Sequence, residues 1–244
     1  MPDTTAQEAW LVALSAPLSA FNGDRVNAVA TGKANDQLRE GVAQMWDVND
    51  RASFEDRAAW LAQEGHRTLY APLWQAIAAV DDAVHTTHPV VRGLADTLFP
   101  AFFQIKARKS LDYKALAAQS GHSLSDVAQM VANSRSWLDE LRKHFKVQPS
   151  QIANLVAWDA VRLVSLTRWA VQLGFIDRTE FARFAGALKP QVQQAYTDWA
   201  QVSAAYIAGG LIWRYSLERE GHLLRTNRLL LSDARSPYRG TAFR

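Results

Sequence analysis

Six side chains could do ionic or acid–base chemistry if folding brought them together. Asp47 and Arg51 stand in "MWDVNDR", His66 and Arg67 follow Gly65 in "WLAQEGHR", and Asp159 and Arg162 lie one helical turn apart in "AWDAVRLVSLTRW". A histidine titrates near neutrality and can act as a general base when a nucleophile or substrate lies within hydrogen-bond reach. An arginine can clamp an anion or neutralise a buried carboxylate. His66 is therefore the candidate catalytic residue. An enzyme or small-anion binder would gather His66, Asp47, Asp159 and Arg162 around one pocket, with Arg162 as the clamp. The mechanical alternative is that these residues fasten helix junctions, since Gly65 has the position of a left-handed helix stop and His66 and Arg67 open the next helix. That alternative carries more weight, and the reading leans away from an enzyme.

Two other segments invite chemistry. In "DDAVHTTH", Asp81 and His85 share a helical face and His88 follows, the donor types of a divalent-metal site. Pro89 disfavours a helical His88, and histidines at a helix C-terminus are favourable without any metal. No metal and no cofactor are expected. In "ALAAQSGHSLSDVAQMV", Ala117, Gly121, Val127 and Met130 have helix-turn-helix spacing. The basic residues Lys106, Arg108, Lys109, Lys114, Arg135, Arg142, Lys143 and Lys146 could neutralise phosphates if they shared a face. The second helix starts with "SLSDVAQ", however, an acid where base or phosphate contacts are needed. Duplex binding through 112–146 is thus an alternative reading, behind an ordinary helical hairpin.

The elements that must position these residues read as helices. Apolar residues recur at helical period in nearly every window, and no alternating β-branched run appears. Helices are expected at 5–16, 34–46, 50–64, 67–85, 90–107, 112–120, 124–145, 149–173, 178–186, 190–218 and 223–231, with a loop over 17–33. Ser53 with Asp56, Ser123 with Asp126 and Asp177 with Glu180 have capping spacing. Pro89, Pro149 and Pro190 suit a first helical turn, and Gly65 and Gly174 suit left-handed stops. The 149–173 helix is apolar on both faces, which puts it inside the bundle, and Arg162 falls mid-stripe among Trp158, Leu155, Leu166 and Trp169. A buried guanidinium without a partner costs several kcal/mol, and Asp159 is the partner at hand. In the last long helix Val192, Tyr196, Trp199, Ser203, Tyr206, Gly210 and Trp213 step by four and three, which reads as core, with Ser203 and Gly210 admitting a close neighbour.

Composition bounds the rest. The 244 residues are 48% hydrophobic, enough to bury a sizeable core in one domain spanning 1–244. The formal charge is +3, from 27 basic and 24 acidic side chains, too small to imply nucleic acid or membrane without a concentrated patch. Cysteine is absent, which excludes disulfides, thiol nucleophiles and thiolate metal sites. The amino-terminal segment lacks the layout of a secretory signal, and the apolar stretch "AAYIAGGLIW" is about half of what a spanning helix needs. A cytoplasmic protein without a membrane span is the expectation.

The ordered segments "MWDVNDR", "WLAQEGHR", "AWDAVRLVSLTRWAVQLGFID", "YTDWAQVSAAYIAGGLIW" and "SPY" resemble the YbeU/YbeR-like bacterial domains of unknown function, most clearly over residues 40–70 and 150–240 within a family-like core at 34–240. The resemblance implies a cytoplasmic helical domain with no assigned activity, some of whose members lie beside chaperone genes. It marks Trp46, Asp47, Arg51, Gly65, His66, Arg67, Trp158, Asp159, Arg162, Arg168, Gly174, Trp199, Gly209, Ser236 and Pro237. Tyr238 stands where that family more often has tryptophan, and Gly210 where a basic residue is usual. The combined expectation is an all-α bundle of about ten helices around the buried 149–173 helix. Trp46, Asp47, Arg51, His66, Arg67, Asp159, Arg162, Arg168 and Trp199 are its binding or structural cluster. Its expected role is a non-catalytic protein-interaction module, an adaptor, chaperone-linked or toxin-neutralising, with another protein as partner.

Overall fold

The computed structural model describes residues 5–85 and 108–244. All regular structure among them is helical. The expected helix 90–107, with His88, Pro89 and Lys106, lies outside the described residues.

Helix α1 (Ala6–Asn22) opens with a reciprocal capping box between Thr5 and Glu8 and closes on left-handed Gly23. It runs past Pro17, where the sequence suggests a loop. Its residues 10–17 and Ser19 are buried, so tertiary packing sustains the helix despite the missing proline N–H. Helix α2 (Asn35–Trp46) ends at Asp47, itself left-handed at φ 54°. Helix α3 (Arg51–Gln63) is capped by Asp50, with Ser53 as the returning partner. Helix α4 (Arg67–His85) follows the turn at Gly65, whose φ is 59°. Helices α5 (Tyr113–Ser120) and α6 (Leu124–Glu140) form the hairpin expected over 112–146, turning on left-handed Gly121 and restarting at the Ser123 cap. A π-helical turn (Leu141–Phe145) finishes α6.

The central helix is shorter than its sequence pattern. Pro149–Gln151 form a separate 3-10 turn, residues 152–155 are not helical, and α7 spans Val156–Leu173 before stopping at left-handed Gly174. Every residue from Val156 to Ala170 is buried. After the 3-10 turn Arg178–Glu180 come α8 (Phe181–Ala185) and α9 (Lys189–Ala195). The expected helix 190–218 is broken twice, because Tyr196 is extended and Arg214 leaves the helix. Tyr196 turns away to donate its hydroxyl to the Asn154 carbonyl at 2.7 Å and to accept from the Ala157 amide at 3.2 Å. Helix α10 (Trp199–Trp213) then begins under the Asp198 cap, and α11 (Leu217–Ser232) under the Ser216 cap. A last turn, α12 (Pro237–Gly240), places Tyr238 flat on Trp199 at 4.8 Å.

Helix α7 is the axle: α1, α3, α8 and α10 pack around it. The close approach to α10 is made by Gly209, where an added Cβ would lie 2.5 Å from the Trp158 Cβ. Gly210, the position singled out from the sequence, is less tight, with Leu223 at 3.1 Å from such a Cβ. No helix of the described residues is long and apolar enough to cross a membrane.

Candidate functional site

Asp159 projects from the first turns of α7 and is fully buried. Its carboxylate does not cap its own helix. It accepts from the backbone amides of His66 at 3.0 Å and Arg67 at 2.9 Å, the orphan donors at the start of α4. Only glycine at position 65 permits this, because a Cβ there would sit 2.1 Å from Asp159 Oδ2. Arg67 Nη1 pairs with the same oxygen at 3.1 Å and also donates to the Leu61 carbonyl, while Nη2 donates to the Ala62 and Gln63 carbonyls. Arg67 thereby caps the C-terminus of α3. One carboxylate and one guanidinium tie together three helix ends.

Arg162 occupies the other side of this knot. Its Nη1 lies 3.3 Å from Asp159 Oδ1 and 2.8 Å from His66 Nδ1. A guanidinium can only donate, so the neutral imidazole accepts at Nδ1 and carries its proton on Nε2. Burial first, then the Arg162, Arg57 and His122 charges, hold His66 down at about 4, far below the usual 6.5. The ring packs edge-on to Trp60 and stacks on Tyr70. Burial pushes the Asp159 carboxyl up, against the pull of Arg162, the Arg67 and His66 amides and the Arg67 charge. The guanidinium carbon of Arg162 lies over the Trp46 ring at 4.7 Å from its centroid and over the Trp158 ring at 4.8 Å.

Beyond Arg162 the structure opens into a cavity of about 450 Å³. Its wall comes from α1, α2, α7, α10 and the start of α11. Phe21, Trp46, Trp158, Trp169, Tyr206 and Trp213 supply rings; Lys33, Arg162, Arg214 and Arg219 supply positive charge. Lys33 pairs with Asp24 at 3.1 Å. Arg219 repeats the Arg162 arrangement, its guanidinium 5.2 Å from the Phe21 ring and 4.7 Å from the Trp213 ring.

Of the residues singled out from the sequence, the structure gathers Trp46, His66, Arg67, Asp159 and Arg162. The others lie elsewhere. Asp47 is an exposed helix end that forms no ion pair with Arg51. Arg51 instead holds Glu55 and, through two parallel bonds, Glu180 at the surface. Arg168 is buried among carbonyls: its guanidinium donates to Ser15, Ser19 and the backbone oxygens of Arg25, Ala28 and Val29, lashing the 23–34 loop to α7. Burial pulls it down to about 10, which leaves it charged at neutral pH. Trp199 belongs to an aromatic cluster with Trp10, Tyr238 and Phe243. In the 112–146 hairpin, Arg135 pairs with Asp139, Arg142 with Asp81 and Asp139, and Arg108 donates to the Ala132 carbonyl. Among the described residues no group of three or more His, Asp or Glu side chains is placed to hold a metal ion. Arg214 and Arg219 belong to none of the sequence motifs; Ser216, which caps the helix that carries Arg219, is the local signal that α10 stops before them.

No curated protein and no solved structure matches the chain. Residues 41–243 match the model of a family described as protein of unknown function (DUF1266), a span that includes His66, Asp159, Arg162 and Arg219, and the chain belongs to that family.

Proposed function

We propose that this chain is a non-catalytic binding protein for a small, flat organic anion. One observation carries the reading: two arginines, each laid against aromatic rings, face a cavity whose wall is rich in aromatic side chains. The volume of about 450 Å³ is that of a small-molecule pocket, and apolar walls with a few converging polar groups are how such pockets gain both affinity and orientation. A guanidinium stacked on indole is fixed in plane, so it loses little freedom when it binds an anion.

The wall chemistry supports holding rather than turnover. Its cations, rings and amides include Tyr206, whose phenol burial pushes up, and Lys33, already paired. His66 touches Arg162 from behind and spends its accepting nitrogen on it, so it positions the arginine instead of reaching a ligand. The cavity favours a small anion over a docked protein as the partner. Within its family, the quoted segments favour the YbeU/YbeR-like branch.

The test is binding of anilinonaphthalene sulfonate, a flat apolar anion, followed by its fluorescence. Saturation at one dye per chain is expected, with affinity reduced about tenfold or more by Trp46→Ala, which strips one face from Arg162. Absence of saturable binding, or full affinity in the variant, rejects the proposal.

A further inference from the structure

We infer that the ligand of this cavity carries two negative charges on a flat ring, as an aromatic phosphomonoester does, and that its phosphate is received by Arg219 and Arg214. The inference rests on the proposed binding role and adds the charge and orientation of the ligand.

Charge matching comes first. Four cations line the cavity. Asp24 pairs with Lys33, and Asp159 is shared between Arg162 and Arg67. Among the described residues no carboxylate pairs with Arg214 or Arg219, which leaves two positive charges unmatched at one end of the cavity. A monoanion would neutralise half of that excess; a phosphomonoester, close to a dianion at neutral pH, neutralises it all.

Geometry points the same way. Arg219 uses only Nε, donating to the Gly210 carbonyl at 3.0 Å, and its two terminal nitrogens donate to no described group. That single bond, together with the Phe21 and Trp213 rings, fixes the plane of the fork and leaves its outer edge for a bidentate oxyanion. Arg214 is exposed and adjacent. Burial and the like charge of Arg214 both disfavour the Arg219 cation, a repulsion that an anion between them relieves.

The ring end is set by Trp158. This residue is buried and its ring forms part of the cavity wall. Trp46, Trp158 and Trp213 supply faces for a stacked ring.

The experiment is calorimetric titration of the full chain at low ionic strength near neutral pH with three matched probes: naphthyl phosphate, naphthoate and naphthol. Naphthyl phosphate should bind about tenfold or more tighter than naphthoate, the factor a second charge-assisted contact supplies. Arg219→Gln should abolish that preference. Arg214→Gln, at an exposed position that folding does not require, should reduce it several-fold and decides the matter if the first variant fails to fold. Equal affinity for phosphate and carboxylate, or a preference that survives these substitutions, overturns the dianion inference and leaves the flat-anion role standing. Failure of all three probes to bind overturns both.

Discussion

Replacing Gly65 with alanine tests the knot of helix ends directly. The backbone there has φ 59°, which costs an alanine about 1–2 kcal/mol relative to glycine. The new Cβ would also lie 2.1 Å from Asp159 Oδ2, so the carboxylate must leave the amides of His66 and Arg67 and the guanidiniums of Arg67 and Arg162. Breaking a buried ion pair by removing one partner costs about 3–5 kcal/mol, because the remaining charge is uncompensated. The combined loss, about 4–7 kcal/mol, is a large share of the roughly 5–15 kcal/mol by which domains are stable. Gly174→Ala is the matched control: its φ is 74° and nothing lies within 4 Å of an added Cβ, so only the backbone cost of about 1–2 kcal/mol applies. Urea denaturation read by tryptophan fluorescence measures both. In an Asp159→Ala background the clash is gone, and Gly65→Ala should then cost no more than the control, giving a coupling of about 3–5 kcal/mol in the cycle. If Gly65→Ala and Gly174→Ala are equally mild, or if the Gly65 and Asp159 changes simply add, the knot does not hold these helices together.

Two further outcomes follow from buried charge. His66 binds its proton at about 4 in the folded chain and at the usual 6.5 when unfolded, so the unfolded state takes up the proton first. Stability should therefore fall as pH drops from 6.5 to about 4 and be flat, for this group, above and below that window. The His66-dependent part is about 2–3 kcal/mol after solvent screening, and it should vanish in His66→Asn; parallel pH curves for the two proteins would contradict it. Arg168→Met removes every donor that holds the Arg25, Ala28 and Val29 carbonyls. A loss of about 3 kcal/mol or more is expected, with faster amide exchange across residues 24–33; unchanged exchange there would show that the loop holds without the guanidinium.

Much of this architecture is local and therefore legible. The capping pairs Ser123–Asp126 and Asp177–Glu180, the left-handed Gly65 and Gly174 and the apolar circumference of α7 all follow from interactions within a few residues. So does the Asp159–Arg162 pair, one turn apart on a helix too apolar to face water. Periodicity misjudged the ends where a capping residue competed with it. Asp198 accepts from the Gln201 amide and restarts α10, the Gln201 side chain accepts from the Thr197 amide, and the hydroxyl of Tyr196 is drawn across to Asn154, so a stripe that reads as continuous is two helices.

The sequence alone determined an all-α chain, its buried central helix and the need for a carboxylate beside Arg162. Tertiary structure decided the rest. Arg51 meets Glu180 rather than Asp47, and Arg168 finds carbonyls rather than an acid. The cavity forms where α1 and α2 close against α7, α10 and the start of α11, joining Phe21 and Trp46 to Trp213 and Arg219 across more than half the chain. Helical period and caps report forces within a turn or two of each residue, whereas a cavity is the space left between surfaces distant in sequence, and its shape is fixed only when they pack.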